Sequence, residues 1–371
     1  MFKTYHKNEQ FNLQINRMFA KLKDPQVEAE VAAALPRLVD TTSWYEVWKE
    51  LGEASEATGR LEMASSCYQA AEFYLPESHP DKRDLYEKYQ QTFYEAHPEL
   101  PIEHVKVPYG TSYMPAIRLK SDNSTNTLLI HGGYDSFIEE FILRVLPLKV
   151  LGYDIIMFEG PGQGGALIRN GMKLIHEWEQ PTSAVLDYFQ LKRAALLGIS
   201  WGGYLCMRAA AFEKRINRVV CFDIFYCGMD ALLLGLDEED KSTLEQLLEQ
   251  DAEDSINHYV YALMKESIDV EWKITKGMYN TGTKSPYDMI RAIELHTMKG
   301  IEHLIDQDVL LLAGDEDQYV PIERLALIES SLIQAKSVTS KVFTRETGGE
   351  QHCQAGRMEL AFAEIVKFLQ K

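Results

Sequence analysis

The chain has 371 residues, with 38 Lys and Arg against 56 Asp and Glu, for a formal net charge of −18. That length suits one large domain with an accessory one, and 46% apolar with 11% aromatic residues supply enough burial to exclude wholesale disorder. So acidic a surface repels phosphate backbones and anionic bilayers, and no basic run with interleaved aromatics occurs, which excludes nucleic acid and membrane as partners.

The first ten residues hold no apolar signal core, and no stretch reaches 18 uninterrupted apolar residues. Cys67, Cys206, Cys221, Cys227 and Cys353 are an odd set without an export signal and read as reduced thiols of a cytoplasmic protein. Neither CxxC nor HExxH occurs and the histidines lack ligand spacing, so no metal is expected.

Residues 1–100 are predicted to form a helical cap domain. Trp44, Val47, Trp48 and Leu51 share one helical face, and Gly52 and Gly59 punctuate the chain before a second helix over 60–75. The small side chains of Ala64, Cys67 and Ala71 allow close helix approach, and Pro76 and Pro80 end the segment. No second copy recurs at a fixed period, so a cap is expected rather than a solenoid.

Residues 101–371 read as an α/β domain. An edge hairpin is expected over 104–119, with Gly110 at its turn. Apolar runs follow at 127–130, 155–158, 194–197, 219–222, 309–313 and 338–343. Runs without polar alternation suit strands buried on both faces, and hence a mostly parallel, doubly wound sheet with crossover helices. The long strand-free stretch between Phe222 and Val309 predicts a helical lid insertion at about 227–300.

Gly198-Ile199-Ser200-Trp201-Gly202-Gly203 follows a buried run and opens a small-residue helix, the setting of a nucleophile elbow. A serine hydroxyl needs a base, and the base needs an orienting acid. Gly314-Asp315-Glu316-Asp317 supplies acids after a later strand, and His352 stands in a glycine-containing loop after the last one. The order Ser200, Asp317, His352 predicts the catalytic set, with Asp317 preferred to Asp315 because its frame runs Gly-x-x-Asp-x-x-Val-Pro. An oxyanion needs two donors. Trp201 N–H is one, and Gly133 or Tyr134 in His131-Gly132-Gly133-Tyr134 is the other. The glycine-rich Glu159-Gly160-Pro161-Gly162-Gln163-Gly164 lacks a P-loop ending and reads as a structural turn that Glu159 anchors.

These landmarks resemble, in order, those of the α/β-hydrolases. With the helical N-terminal region, the whole chain is similar to the group that includes 2,6-dihydroxypseudooxynicotine hydrolase, fungal polyketide-shortening hydrolases and the fermentation/respiration switch protein. Gly348-Gly349-Glu350-Gln351-His352-Cys353-Gln354 is the most group-specific segment. The resemblance implies the Ser200–Asp317–His352 triad, an N-terminal helical domain over the site, and carbon–carbon bond hydrolysis of β-diketone-like substrates. The chain departs from the pattern in carrying Glu159 where Asp is common. Carbon–carbon hydrolases of the group use a further acid, and Asp223 or Asp230 is the candidate here.

The expected activity is therefore hydrolysis of a small ester or ketone through an acyl-enzyme, with no cofactor. The alternatives are carbon–carbon bond hydrolysis, an acylaminoacyl-type peptidase, and a protein-binding regulator with minor esterase activity. Phe225, Tyr226, Met278 and Tyr279, with Trp272 and Tyr287, are expected to bind an apolar or aromatic small-molecule substrate. The apolar N-terminal helical stripe is free to pack on the lid or on a second subunit of a homodimer.

Overall fold

The structure, a computed structural model, describes residues 2–122 and 124–371. The chain divides into two compact units, Met1–Leu100 with Ala262–Tyr279 and Pro101–Tyr261 with Asn280–Lys371.

In the first unit, Thr41–Ala57 packs on Leu61–Phe73, which packs in turn on Asp81–Ala96. Asp40 begins the first of these through a capping box with Ser43. Trp44 and Trp48 are fully buried, and Trp44 Nε1–H donates to Ala70 O at 2.6 Å. Gly52 does not punctuate the chain as its sequence context suggests. It lies inside Thr41–Ala57, where an added Cβ would stand 3.2 Å from Cys67 Cβ, so its missing side chain serves close helix approach. Lys82 and Glu72 form an ion pair at 2.6 Å, buried on both sides. Residues 262–279, expected within the lid insertion, pack in this unit instead. Trp272 stacks on Phe73 with ring centroids 5.3 Å apart, and Gln10 donates to Asp269 at 2.8 Å.

The second unit is an eight-stranded sheet of β1 (Glu103–Tyr109), β2 (Ser112–Leu119), β3 (Asn126–His131), β4 (Tyr153–Phe158), β5 (Ala194–Ile199), β6 (Ile216–Phe222), β7 (Asp308–Gly314) and β8 (Ser337–Phe343). The order is β1-β2-β4-β3-β5-β6-β7-β8, antiparallel at β1–β2 and β2–β4 and parallel elsewhere. All six residues of β4 and of β5 are buried, as strands covered on both faces require, whereas the edge strands β1 and β8 keep exposed positions. The fold is thus the expected α/β class. Between β6 and β7 the chain runs through the helices Gly228–Leu233, Glu238–Glu249, Glu253–Glu266, Ile268–Thr281 and Pro286–Glu294, with no strand among them. No helix among the described residues is long and apolar enough to cross a membrane.

Candidate active site

Ser200 stands between β5 and the helix Gly202–Phe212 with φ of +62°, a left-handed conformation that a serine adopts only in a sharp, over-determined turn. The helix can approach because Gly203 lacks a side chain: an added Cβ would fall 1.9 Å from Asp223 O. Ser200 remains partly exposed at the strand end.

Three side chains from three strand ends meet there. Ser200 Oγ lies 2.8 Å from His352 Nε2, and His352 Nδ1 lies 2.7 Å from Asp317 Oδ2. The other Asp317 oxygen accepts from the N–H groups of Tyr319 at 2.7 Å and Val320 at 3.1 Å, which fixes the carboxylate. A carboxylate on Nδ1 selects the tautomer with its proton there and a lone pair on Nε2, facing the hydroxyl. Tyr319 meets the imidazole edge-on at 4.9 Å. Burial disfavours the charged ring, but Asp317 outweighs it and holds His352 well above the ordinary histidine value. Asp317 also bears the penalty of burial and is nonetheless held below the usual carboxylate range by His352.

A second carboxylate lies behind this relay. Asp223, fully buried after β6, has Oδ2 at 3.8 Å from His352 Nδ1 and accepts there from Cys353 N–H at 3.0 Å. Burial and the charge of Asp317 push Asp223 far above the usual carboxylate range, which favours its neutral form. Of the two acids left open by the sequence, Asp230 is elsewhere engaged, with Arg324 Nε at 2.7 Å. Asp223, His352 and Cys353 offer ligand atoms within 4.8 Å of one another. Burial keeps the Cys353 thiol protonated and His352 Nδ1 is held by Asp317, an arrangement that fits an acid–base relay better than a metal's ligand set.

Beside the elbow, a Cβ on Gly133 would stand 2.7 Å from Trp201 N, so only glycine brings the β3 loop this close. Gly133 N–H donates to Ser136 Oγ at 3.3 Å, and Gln163 Nε2 donates to Gly132 O at 2.7 Å. Tyr134 stacks on Trp201 at 5.3 Å, and its carbonyl accepts from the buried Asn280 at 2.7 Å. Trp201 Nε1–H donates to His296 Nδ1 at 3.1 Å. Glu159 anchors its turn as expected, accepting from Gly165 N–H at 2.6 Å.

Of the expected substrate contacts, Phe225 meets Trp201 at 5.3 Å and the His352 ring at 6.2 Å. Tyr226 turns to Glu302, to which its hydroxyl donates at 2.7 Å. Met278 and Tyr279 fall in the first unit, where Tyr279 lies buried with Lys82 and Lys276 over its ring. Tyr287 donates to Asp251 at 2.6 Å. Sequence reasoning missed Ser136, Gln163, Asn280 and His296. Only Gln163 lay in a noted motif, while the others are isolated polar residues that tertiary packing alone brings inward.

Residues 127–353 match the family described as alpha/beta hydrolase fold. The chain belongs to that family and is a hydrolase with an N-terminal helical region. It is 27% identical over 355 residues to the hydrolase acrC of Aspergillus aculeatus, covering 81% of each chain. It is 26% identical to 20-hydroxy-prefusarin hydrolase FUS2 of Gibberella moniliformis over 70% of each. Among solved structures, 2,6-dihydroxy-pseudo-oxynicotine hydrolase superposes with a TM-score of 0.68 at 17% identity, covering 96% of this chain and 94% of that one. AbyA5 superposes with a TM-score of 0.72 at 18% identity, covering 97% and 95%.

Proposed function

We propose that the chain is a serine hydrolase of small ester or ketone substrates acting through an acyl-enzyme. The observation that carries the reading is the unbroken relay from Ser200 Oγ through the His352 ring to Asp317, at 2.8 and 2.7 Å. Ser200 attacks the carbonyl as His352 Nε2 takes its proton. Asp317 stabilises the resulting imidazolium. The N–H of Trp201 and that of Gly133 or Tyr134 receive the developing oxyanion. His352 returns the proton to the leaving group, then activates water to release the acyl group from Ser200. Phe225, beside both Trp201 and His352, supports an apolar acyl or leaving group.

The test is covalent. A fluorophosphonate should label wild-type protein at Ser200, and p-nitrophenyl acyl esters should be turned over. Ser200→Ala should abolish labelling and lower kcat by about 10⁴-fold or more. An unlabelled wild type that turns over no ester would refute the reading.

A second reading, hydrolysis of a carbon–carbon bond in a β-diketone-like substrate, is favoured by the extra buried acid Asp223 beside the relay. Asp223→Asn keeps a donor toward Asp317 and an acceptor toward Cys353 N–H. Ester turnover should therefore stay within a few-fold of wild type. If Asp223 serves carbon–carbon cleavage, the same variant should lose diketone hydrolysis selectively. Parallel assays on both substrate types decide between the two chemistries.

A further inference from the structure

The Trp201 indole is buried among other rings. Tyr134 stacks on it at 5.3 Å, Phe225 approaches at 5.3 Å, and an added Cβ on Gly228 would stand 2.7 Å from the ring. His296 Nδ1 accepts the indole N–H at 3.1 Å. His296 follows the helix Pro286–Glu294 in the insertion between β6 and β7, 95 positions from Trp201 in the chain. It is 2% exposed, and its own carbonyl accepts from Gly228 N–H at 2.8 Å, which secures the segment.

We infer that His296 is a positioning residue of the oxyanion hole, acting on the backbone N–H of Trp201 by holding the far end of its side chain. The inference rests on the serine-hydrolase reading above. Burial, with lesser contributions from His176 and Arg208, keeps His296 neutral down to about pH 3, so the accepting lone pair persists throughout any working range. An oxyanion donor is effective because it is already aimed where charge develops, and its misalignment by a fraction of an ångström weakens the transition state more than the bound substrate. The Trp201 carbonyl is held by the N–H groups of Tyr204 at 3.1 Å and Leu205 at 3.3 Å, and the indole contact with His296 adds an anchor at the side-chain end of the same residue. The insertion thereby takes part in the chemistry through an indole rather than through substrate contact.

His296→Leu removes the acceptor at similar bulk, His296→Asn keeps an acceptor near the Nδ1 position, and Trp201→Phe removes the donor while keeping a stacking ring. With a p-nitrophenyl ester, His296→Leu should lower kcat by about ten- to a hundredfold with KM within about twofold of wild type. His296→Asn should restore most of the loss, and Trp201→Phe should reproduce it. In the Trp201→Phe background, His296→Leu should have little further effect. The rate of Ser200 phosphonylation should follow the same pattern, and carries the test if ester turnover is slow. Independent, additive losses, equal losses in the Leu and Asn variants, or a change confined to KM would overturn the inference while leaving the hydrolase reading intact. Should His296→Leu not fold, Trp201→Phe with unchanged kcat would overturn it alone. A wild type inert to both ester and label would instead overturn the reading itself, and this inference with it.

Discussion

Burial alone would favour the neutral ring of His352, but Asp317, 2.7 Å from Nδ1, favours the imidazolium more strongly. A base must be unprotonated to accept the serine proton, so kcat/KM should rise with pH through the His352 titration. The ascending limb should lie above the ordinary histidine value near 6.5. Asp317→Asn removes the largest of the influences that raise the imidazole against burial. The limb should then move to lower pH, and kcat should fall by about 10⁴-fold through loss of the correct tautomer. A pH–rate profile of wild type and variant checks both, and a limb that stays in place would contradict the electrostatic assignment. Ser200, Asp317 and His352 were legible in the sequence because each stands in a short local frame at a strand end. Asp223 could be named but not separated from Asp230, since both follow β6 and only the folded chain shows that one faces His352 while the other pairs with Arg324.

At the scale of elements, the meeting of β5, the helix Gly202–Phe212 and the end of β6 sets how sharply the elbow can bend. Gly203 stands where that helix passes the backbone of Asp223, and an alanine Cβ would overlap Asp223 O at 1.9 Å. A carbonyl in the backbone cannot rotate aside as a side chain can. Gly203→Ala should therefore destabilise the protein by about 1–3 kcal/mol or more, read as a lowered urea midpoint. It should also impair activity beyond the stability effect, because Asp223 and Ser200 shift together. A variant as stable and active as wild type would show that the crossing has slack. The strands were readable for a related reason. A segment covered on both faces must be apolar throughout, so β3 to β7 leave near-continuous runs, and only their ends were displaced. Asn280 and His296 left no such trace, because a single polar residue within a helix, as at Asn280, or just past a helix end, as at His296, looks like a solvent-facing one.

For the whole molecule, the division near residue 100 was visible in the change from helical periodicity to strand-like runs. The membership of 262–279 was not. Its apolar positions have helical spacing like those of its neighbours in the insertion, and periodicity says that a face will be covered without saying by which partner. Trp272 against Phe73 decides it.

That arrangement has a bearing on biogenesis. The helices of Met1–Leu100 leave the ribosome first, yet the segment that completes their unit, Ala262–Tyr279, is made only after residues 101–261. At about 5–20 residues per second, the nascent helices wait on the order of ten to thirty seconds with the side of Phe73 that Trp272 will cover still open. A truncation at residue 100 would make that waiting state permanent, so a self-sufficient version of the unit must have Ala262–Tyr279 grafted back on.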